Sequence, residues 1–206
     1  MTDQKKIRHC MIVYALYPYA ETRVQREAEG LLASGIEVDV ICPRSDPEPP
    51  FEIHNGVTIH RVNMKWARKK GLLRQIWQYI KFITLVALKV TSLHFRNHYN
   101  VIQAHNLPDF LVFSALIPKI FGARVILDIH DLSPEFYQSW FRKSPRHILV
   151  RLVVLQERLS CMFADHVITV SEIWREKLIK RGVRPEKCTS VMNLADTRIF
   201  NPQSRE

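Results

Sequence analysis

At 206 residues, the chain is long enough for one large domain, and its 47% hydrophobic content excludes an intrinsically disordered protein. Its formal net charge of +10 is compatible with nucleic acid, an anionic membrane or a phosphorylated ligand, and composition alone does not choose among them. No run reaches the roughly 18 uncharged apolar residues of a membrane span, because Lys81 and Lys89 interrupt the longest candidate. From the polar, charged start of the sequence, Met1 to Arg8, we expect no secretory signal peptide.

The predicted elements alternate between strands and helices from one end to the other. In chain order, the patterns predict a strand at 7–15, a helix that ends at Gly35, strands at 36–42 and 57–62, a helix at about 72–95, a strand at 101–104, a helix at 108–121, a strand at 124–129, a helix that begins at Ser133 with a cap, a helix at about 145–163, a strand at 166–170, a helix at 172–181 and a strand at 187–192. This alternation predicts right-handed crossovers and a mostly parallel sheet, hence a doubly wound, Rossmann-like α/β domain over residues 1–192.

The cysteines form no C-x-x-C pair and have no spacing typical of a zinc site. They are Cys10, Cys42, Cys161 and Cys188. We therefore predict reduced, mostly buried thiols in a cytoplasmic protein. The histidine spacings likewise indicate no metal site.

Polar residues follow two of the predicted strands, at the sheet edge where ligands bind in parallel sheets. His130 and Asp131 come after one strand, and His105 and Asn106 come after another. The neutral imidazole of His130 could accept a proton or hold a sugar hydroxyl, with Asp131 orienting it. The alternative is a histidine that bonds a backbone carbonyl at a helix entrance, and for His105 and Asn106 it is loop packing and capping. No G-x-G-x-x-G, Walker or G-x-S-x-G sequence is present.

Several segments, in this order, resemble glycosyltransferase family 4 over nearly the whole chain. They read HNLPD at 105–109, LDIHDLSPE at 127–135, ADHVITVSE at 164–172, SVMNLAD at 190–196 and FNP at 200–202. The resemblance implies a GT-B enzyme, in which two Rossmann-like domains face each other across a cleft. The N-terminal domain of such an enzyme holds mainly the acceptor, and the C-terminal domain holds mainly the nucleotide-diphosphate sugar donor.

The same resemblance implies roles for individual residues. His130 is expected at the transfer centre, and the expected substrate-binding residues are Arg23, His105, Asn106, Asp131, Ser171, Glu172 and Asn193. Transfer is expected to retain the anomeric configuration and to need no metal or other cofactor. Residues 193–206 resemble the start of the hinge, a stub that leads toward a donor domain outside this sequence. The chain is then the acceptor-binding half of an enzyme; a non-catalytic binding or scaffold domain, or one subunit of a split glycosyltransferase, is the alternative.

The basic residues are concentrated in an acid-free region between Glu52 and Asp109. Within it, tryptophan, leucine and isoleucine alternate with lysine and arginine from Lys65 to Ile83, a composition typical of a helix at an anionic membrane surface. An amphipathic helix packed on the sheet, with its lysines in solvent, is the alternative, and both can hold together. The expected partners are a sugar or lipid-linked acceptor, a donor domain and the inner membrane face. Nucleic acid is not expected, because no stacking motif or recognition helix is present.

Overall fold

In a computed structural model, which describes residues 6–65, 71–141, 144 and 147–193, the chain forms a sheet of eight strands. The strands are β1 (Arg8–Ile12), β2 (Glu37–Arg44), β3 (Phe51–His54), β4 (Val57–Lys65), β5 (Val101–His105), β6 (Arg124–Ile129), β7 (His166–Thr169) and β8 (Cys188–Ser190). Their order across the sheet is β3-β4-β2-β1-β5-β6-β7-β8, and all neighbours are parallel except β3 and β4. The predicted doubly wound, mostly parallel sheet is confirmed.

Helices connect the strands on both faces of this sheet. They are α1 (Thr22–Ala33), α2 (Leu72–Asn97), α3 (Leu116–Ile120), α4 (Ser133–Phe141), α5 (Ile148–Phe163) and α6 (Glu172–Lys180), with short 3₁₀ helices at Asp109–Ala115 and Pro185–Lys187. The crossover from β1 to β2 runs in one direction across the sheet, and the crossovers after β4 run in the other. Right-handed connections therefore place α1 on one face and α2, α3 and α5 on the opposite face.

The buried side chains divide into a core on each face, because successive residues of a strand point to opposite sides. Met11 packs with Val24 and Ala28 of α1. Ile12, the next residue of β1, packs in the larger core with Phe82 and the rest of the α2 layer. All of these side chains are fully buried, so the alternation along β1 fixes which helix covers which face.

An edge strand, β3, was not predicted from the sequence. It pairs with β4 through a hairpin whose two turn residues, Asn55 and Gly56, both have positive φ, as a type I′ turn requires. Phe51 and Ile53 are 54% and 65% exposed, so β3 has no buried apolar face. The four residues do alternate between apolar and polar, but the run is short and the two prolines directly before Phe51 suggested a loop.

The segment predicted as one helix at 108–121 is instead a 3₁₀ helix followed by the single turn of α3. Pro118 has no amide hydrogen, so it cannot donate to the Ser114 carbonyl as a continuous α-helix would need. The Ser114 hydroxyl donates to the Leu111 carbonyl at 2.8 Å, which supports the tighter turn. The predicted strands at 7–15 and 187–192 are also shorter than expected, because their outer residues belong to loops.

One helix among the described residues, Leu73–Asn97 of α2, is long and apolar enough by length and composition to cross a membrane, with a mean hydropathy of 1.2. The sequence predicts no membrane span here, because Lys81 and Lys89 interrupt the apolar run. Phe82, Val86 and Val90 of this helix are nevertheless fully buried against the sheet. The helix therefore contributes one face to the core of the domain and exposes the other.

The four cysteines are all buried and free, as the sequence predicted. Burial raises the pKa of Cys42 to about 12 and keeps its thiol protonated. These side chains serve as small apolar residues of the two cores.

Candidate active site

A buried polar cluster lies where β5 and β6 end side by side. The register of the two strands pairs His105 with Asp128, and both side chains are completely inaccessible. Asn106 and His130 follow within two residues of that pair. The carboxyl ends of two adjacent parallel strands therefore bring together histidines that the sequence separates by 25 residues.

Asp128 is the centre of this cluster. Its Oδ2 lies 3.2 Å from His105 Nδ1 and 3.2 Å from His130 Nε2. Gln103 Nε2 donates to the same oxygen at 3.3 Å. Arg23 Nη2 donates to the other carboxylate oxygen, Oδ1, at 3.2 Å. A buried charge needs such partners, and these donors come from α1, β5 and the loop after β6.

The surrounding donors keep Asp128 ionised. Burial alone would raise the pKa of its carboxyl group, but the hydrogen bonds with His105 and His130 hold that pKa well below its ordinary value. An ionised carboxylate accepts hydrogen bonds and donates none. The Nε2 of His130 therefore carries the proton in this contact, which leaves Nδ1 of a neutral ring as a hydrogen-bond acceptor. Part of the side chain, 15%, is open to solvent.

The partner of the His130 ring is thus Asp128 and not Asp131, which corrects the expectation from the sequence. The Asp131 side chain is exposed. Its backbone is held instead, because Asn106 Oδ1 accepts from the amide nitrogens of His130 at 2.7 Å and of Asp131 at 3.3 Å. Asn106 Nδ2 donates to Asp109 Oδ1 at 2.9 Å and also to the Asp131 carbonyl. Asn106 therefore clamps the loop that carries His130.

Arg23 was expected to line the acceptor side, but it is 6% exposed and its contacts are internal. Besides Asp128, its guanidinium contacts Glu27 Oε1 at 2.9 Å. Its Nη1 donates to the carbonyl of Val191, just after β8, at 3.0 Å. Arg23 therefore joins the start of α1 to Asp128 and to the chain segment that leaves β8.

Further polar groups extend the cluster under α1. Gln103 Nε2 also donates to Glu27 Oε2 at 2.8 Å, and Gln103 Oε1 lies 2.9 Å from His9 Nε2. Burial lowers the pKa of His9 to about 4, so this ring is neutral at physiological pH. Burial and the neighbouring Asp128 charge raise the pKa of Glu27. The cluster thus holds its charges inside the domain, below the exposed edge of His130.

A second buried carboxylate, Asp109, supports the same loop from the other side. The hydroxyl of Ser133, the first residue of α4, donates to Asp109 Oδ1 at 2.9 Å. Burial raises the pKa of Asp109, which is inaccessible and also accepts from Asn106. These contacts fix the start of α4 relative to His130.

The remaining expected site residues lie at the ends of β7 and β8. Ser171 caps α6 by accepting from the Trp174 amide at 3.3 Å. Glu172 contacts Arg175 Nη1 at 2.6 Å and accepts from Ser190 Oγ at 2.9 Å. Asn193 is exposed and is the last residue that the structure describes in this segment. Within the described residues, none of these three side chains bonds to the Asp128 cluster. The cluster is connected to the end of β8 through Arg23, which donates to the Val191 carbonyl.

The ligand atoms of His105, Asp128 and His130 lie within 4.8 Å of one another, a set that could hold a metal ion. Two His nitrogens and one carboxylate oxygen suit zinc in chemistry. The residues around them do not fit a cation, because the Arg23 guanidinium already pairs with Asp128 and Gln103 donates to the same oxygen as the histidines. The arrangement instead suits a histidine, His130, whose ring is held by the ionised Asp128.

Asp128, Gln103 and His9 were not predicted as site residues. A usable signal was present, since a carboxylate and an amide inside apolar strands must find buried partners. The partner of Asp128 could not be read from the chain, because Arg23 lies 105 residues away.

Comparison with known proteins identifies the family of the chain. Residues 20–193 match the family model described as "Glycosyl transferase 4-like domain". The chain is 29% identical over 148 residues to chitobiosyldiphosphodolichol beta-mannosyltransferase of Debaryomyces hansenii, a match that covers 68% of this chain and 30% of that protein.

Solved structures share the fold. Sucrose-phosphate synthase from Thermosynechococcus elongatus superposes with a TM-score of 0.74 at 16% identity, over 96% of this chain and 50% of that one. UDP-GlcNAc 2-epimerase from Methanocaldococcus jannaschii superposes with a TM-score of 0.54 at 11% identity, over 90% of this chain and 45% of that one. The chain therefore spans half or less of the proteins it resembles, and the fold is shared with an epimerase as well as with a synthase.

Proposed function

The chain belongs to the glycosyl transferase 4-like family, and we propose that it is the acceptor-binding half of a retaining glycosyltransferase that uses a nucleotide-sugar donor. The observation that carries this proposal is His130, partly exposed at the carboxyl edge of the sheet with its Nε2 held by the ionised Asp128. Ligands of open parallel sheets bind at this edge. The site therefore combines the expected place for a substrate with a positioned histidine.

His130 acts on the substrate through the ring nitrogen that faces away from Asp128. With Nε2 protonated against the carboxylate, Nδ1 accepts a hydrogen bond from a sugar hydroxyl and orients the sugar for transfer. Asp128 fixes the tautomer of the ring, and Asn106 fixes the loop. Ser171, Glu172 and Asn193 extend the substrate-binding edge toward β8.

A donor-binding domain supplies the other half of the proposed active site. The matched proteins are two to three times longer than the matched region, since it covers 50% of the synthase and 30% of the mannosyltransferase. We propose residues 1–192 as the acceptor domain and 193–206 as the start of the hinge; residues 194–206 lie outside the described ones. Stabilisation of the nucleotide leaving group falls to the donor domain, so this chain alone should show no sustained transfer.

The acceptor and the membrane form a second part of the proposal. The matched mannosyltransferase has a dolichol-linked substrate in its name, which supports a lipid-linked acceptor for this chain. The start of α2 exposes Leu73, Ile76, Trp77 and Ile80, all at least 41% accessible. We propose that the protein is cytoplasmic and that this end of α2 contacts the inner face of the membrane. The sequence also placed Arg68, Lys69 and Lys70 in this contact, and they lie outside the described residues.

Reconstitution with a donor-binding domain tests the proposed activity. The chain, joined to such a domain, should transfer sugar from a nucleotide sugar to a lipid-linked or free acceptor with retained anomeric configuration. The chain alone is the matched control and should give only the buffer rate. Sustained turnover by the chain alone, or an inverted product from the joined enzyme, would contradict the proposal.

A further inference from the structure

The helical layer opposite α1 exposes a broad apolar surface that is separate from the site. It consists of Leu88 and Phe95 of α2, Leu116, Ile120 and Phe121 at α3, and Ile148, Leu152, Leu155, Leu159 and Met162 of α5, each between 47% and 71% exposed. We call this set the outer helical face. It lies on the flank of the sheet, away from the carboxyl edge that holds His130.

The stripe on α5 is the most regular part of this face. Its members recur at intervals of four, three, four and three residues, the spacing that places side chains on one side of a helix. On the opposite side, Val150, Glu157 and Cys161 are buried. An amphipathic helix of a soluble domain turns its apolar side inward, whereas α5 is apolar on both sides.

Aromatic contacts join the three helices into one surface. The rings of Phe95 and Phe121 lie 4.9 Å apart and connect α2 to the end of α3. Those of Phe113 and Phe163 lie 5.0 Å apart and connect the 3₁₀ helix to the end of α5. The exposed apolar groups are therefore neighbours in one layer and not isolated surface residues.

The charges on these helices have a single sign at the surface. Lys81, Arg96, Arg151 and Arg158 are exposed. Within α2, the 3₁₀ helix at 109–115, α3 and α5, the sequence contains just two carboxylates, Asp109 and Glu157, and both are buried. Glu157 is paired internally with Arg181 at 2.9 Å. The described helices of this face thus combine exposed apolar side chains with exposed cations, and Asp165, just after α5, is paired with Lys119 of α3 at 2.6 Å.

We propose that the outer helical face binds the surface of an anionic lipid bilayer, with α5 lying in the interface. Apolar side chains with lysine and arginine beside them are what an interfacial helix presents to acidic lipids. A second copy of the chain fits less well, since pairing two such faces would oppose cations with no carboxylate to match them. The inference extends the membrane contact proposed for the start of α2, and it does not require sugar transfer.

Sedimentation of the full chain with vesicles tests this inference. Wild type should bind phosphatidylglycerol–phosphatidylcholine vesicles at low salt and release as salt rises. The variant Ile148→Gln/Leu152→Gln/Leu155→Gln should lose at least about tenfold in apparent affinity while keeping its helical circular dichroism. The matched control Ile53→Gln/Ile173→Gln removes exposed isoleucines elsewhere and should bind like wild type.

A charge pair of variants completes the test. Arg151→Gln/Arg158→Gln should weaken binding about 30-fold, at roughly 1 kcal/mol per cation, whereas Lys180→Gln/Arg184→Gln on and after α6 should not. Equal binding to pure phosphatidylcholine, or unchanged binding of the α5 variant, would overturn the inference. If Trp77→Gln abolishes binding and the α5 variant does not, the contact is confined to the start of α2. A wild-type dimer that the α5 variant dissolves would show that the occupant is a second copy, and would equally overturn it.

Discussion

Arg23 Nη2 lies 3.2 Å from Asp128 Oδ1, and the two side chains are 7% and 0% exposed. The pair joins α1 to β6 across the sheet, beneath the histidine that we place at the transfer centre. A buried ion pair of this kind is costly to break, because the remaining charge keeps its desolvation penalty without its partner. The pair therefore secures both the fold near the site and the orientation of His130.

Single substitutions of Asp128 and of Asp131 compare how much each of these nearby carboxylates contributes to stability. Asp128→Asn removes the charge that Arg23 faces and should lower the free energy of unfolding by about 3–5 kcal/mol. Asp131→Asn alters an exposed side chain and should change it by less than about 0.5 kcal/mol. Urea unfolding of both variants measures the difference. Similar losses in the two would mean that Asp128 does not hold the cluster.

A double-mutant cycle measures how strongly Arg23 and Asp128 depend on each other. Arg23→Met leaves the carboxylate buried with only histidine and glutamine donors. The double variant Arg23→Met/Asp128→Asn should be less destabilised than the sum of the single changes, by at least about 1 kcal/mol. Additive losses in denaturant unfolding would show that the pair makes no specific contribution.

His9 gives the cluster a pH dependence with a definite sign. Burial lowers the pKa of His9 to about 4 in the folded protein, below its ordinary 6.5. As the pH falls, His9 becomes protonated in the unfolded chain before it does so in the folded protein. The stability that comes from burying neutral His9 is therefore complete above pH 6.5 and is lost as the pH falls toward 4. Between about pH 7 and pH 5 the loss is about 2 kcal/mol. His9→Gln should lack this component when unfolding is measured at both pH values, and an identical pH dependence in wild type and variant would contradict it.

Zinc tests whether the two histidines and Asp128 act as a ligand set. Arg23 and the hydrogen bonds already satisfy the carboxylate, so excess zinc should not raise the thermal midpoint of the wild-type chain. Arg23→Met removes the competing cation and serves as the comparison. A rise in the wild-type midpoint that disappears in His130→Ala would instead establish a metal site.

Parts of this architecture follow from local sequence. The strand at 124–129 matched residue for residue, because a short apolar run is bounded by Gly122 before it and a polar loop after it. The strand β3 was not predicted, because its run of four residues is short and directly follows Pro49 and Pro50, a pair typical of a loop.

His105, Asn106 and His130 lie close together as predicted, but the contacts of His130 differ from the prediction. His105, Asn106 and His130 were placed together because they follow adjacent strands. Asp131 was expected to orient His130 as its neighbour in sequence, but consecutive residues point in different directions, and Asp128, two residues back, is the one whose side chain reaches the ring. Which residues complete a buried cluster depends on strand register and on helix placement, neither of which a local pattern contains.

The most direct test of the central claim is the turnover of His130→Ala in the two-domain enzyme, measured together with its thermal midpoint. If His130 positions the reacting sugar, turnover should fall by about 10²-fold or more, the scale of one positioned catalytic group. The midpoint should change little, because the ring is partly exposed and Asp128 keeps Arg23 as its partner. The contrary result is a variant that unfolds at a clearly lower temperature while its folded fraction turns over at the wild-type rate, which would make His130 a structural residue of the loop.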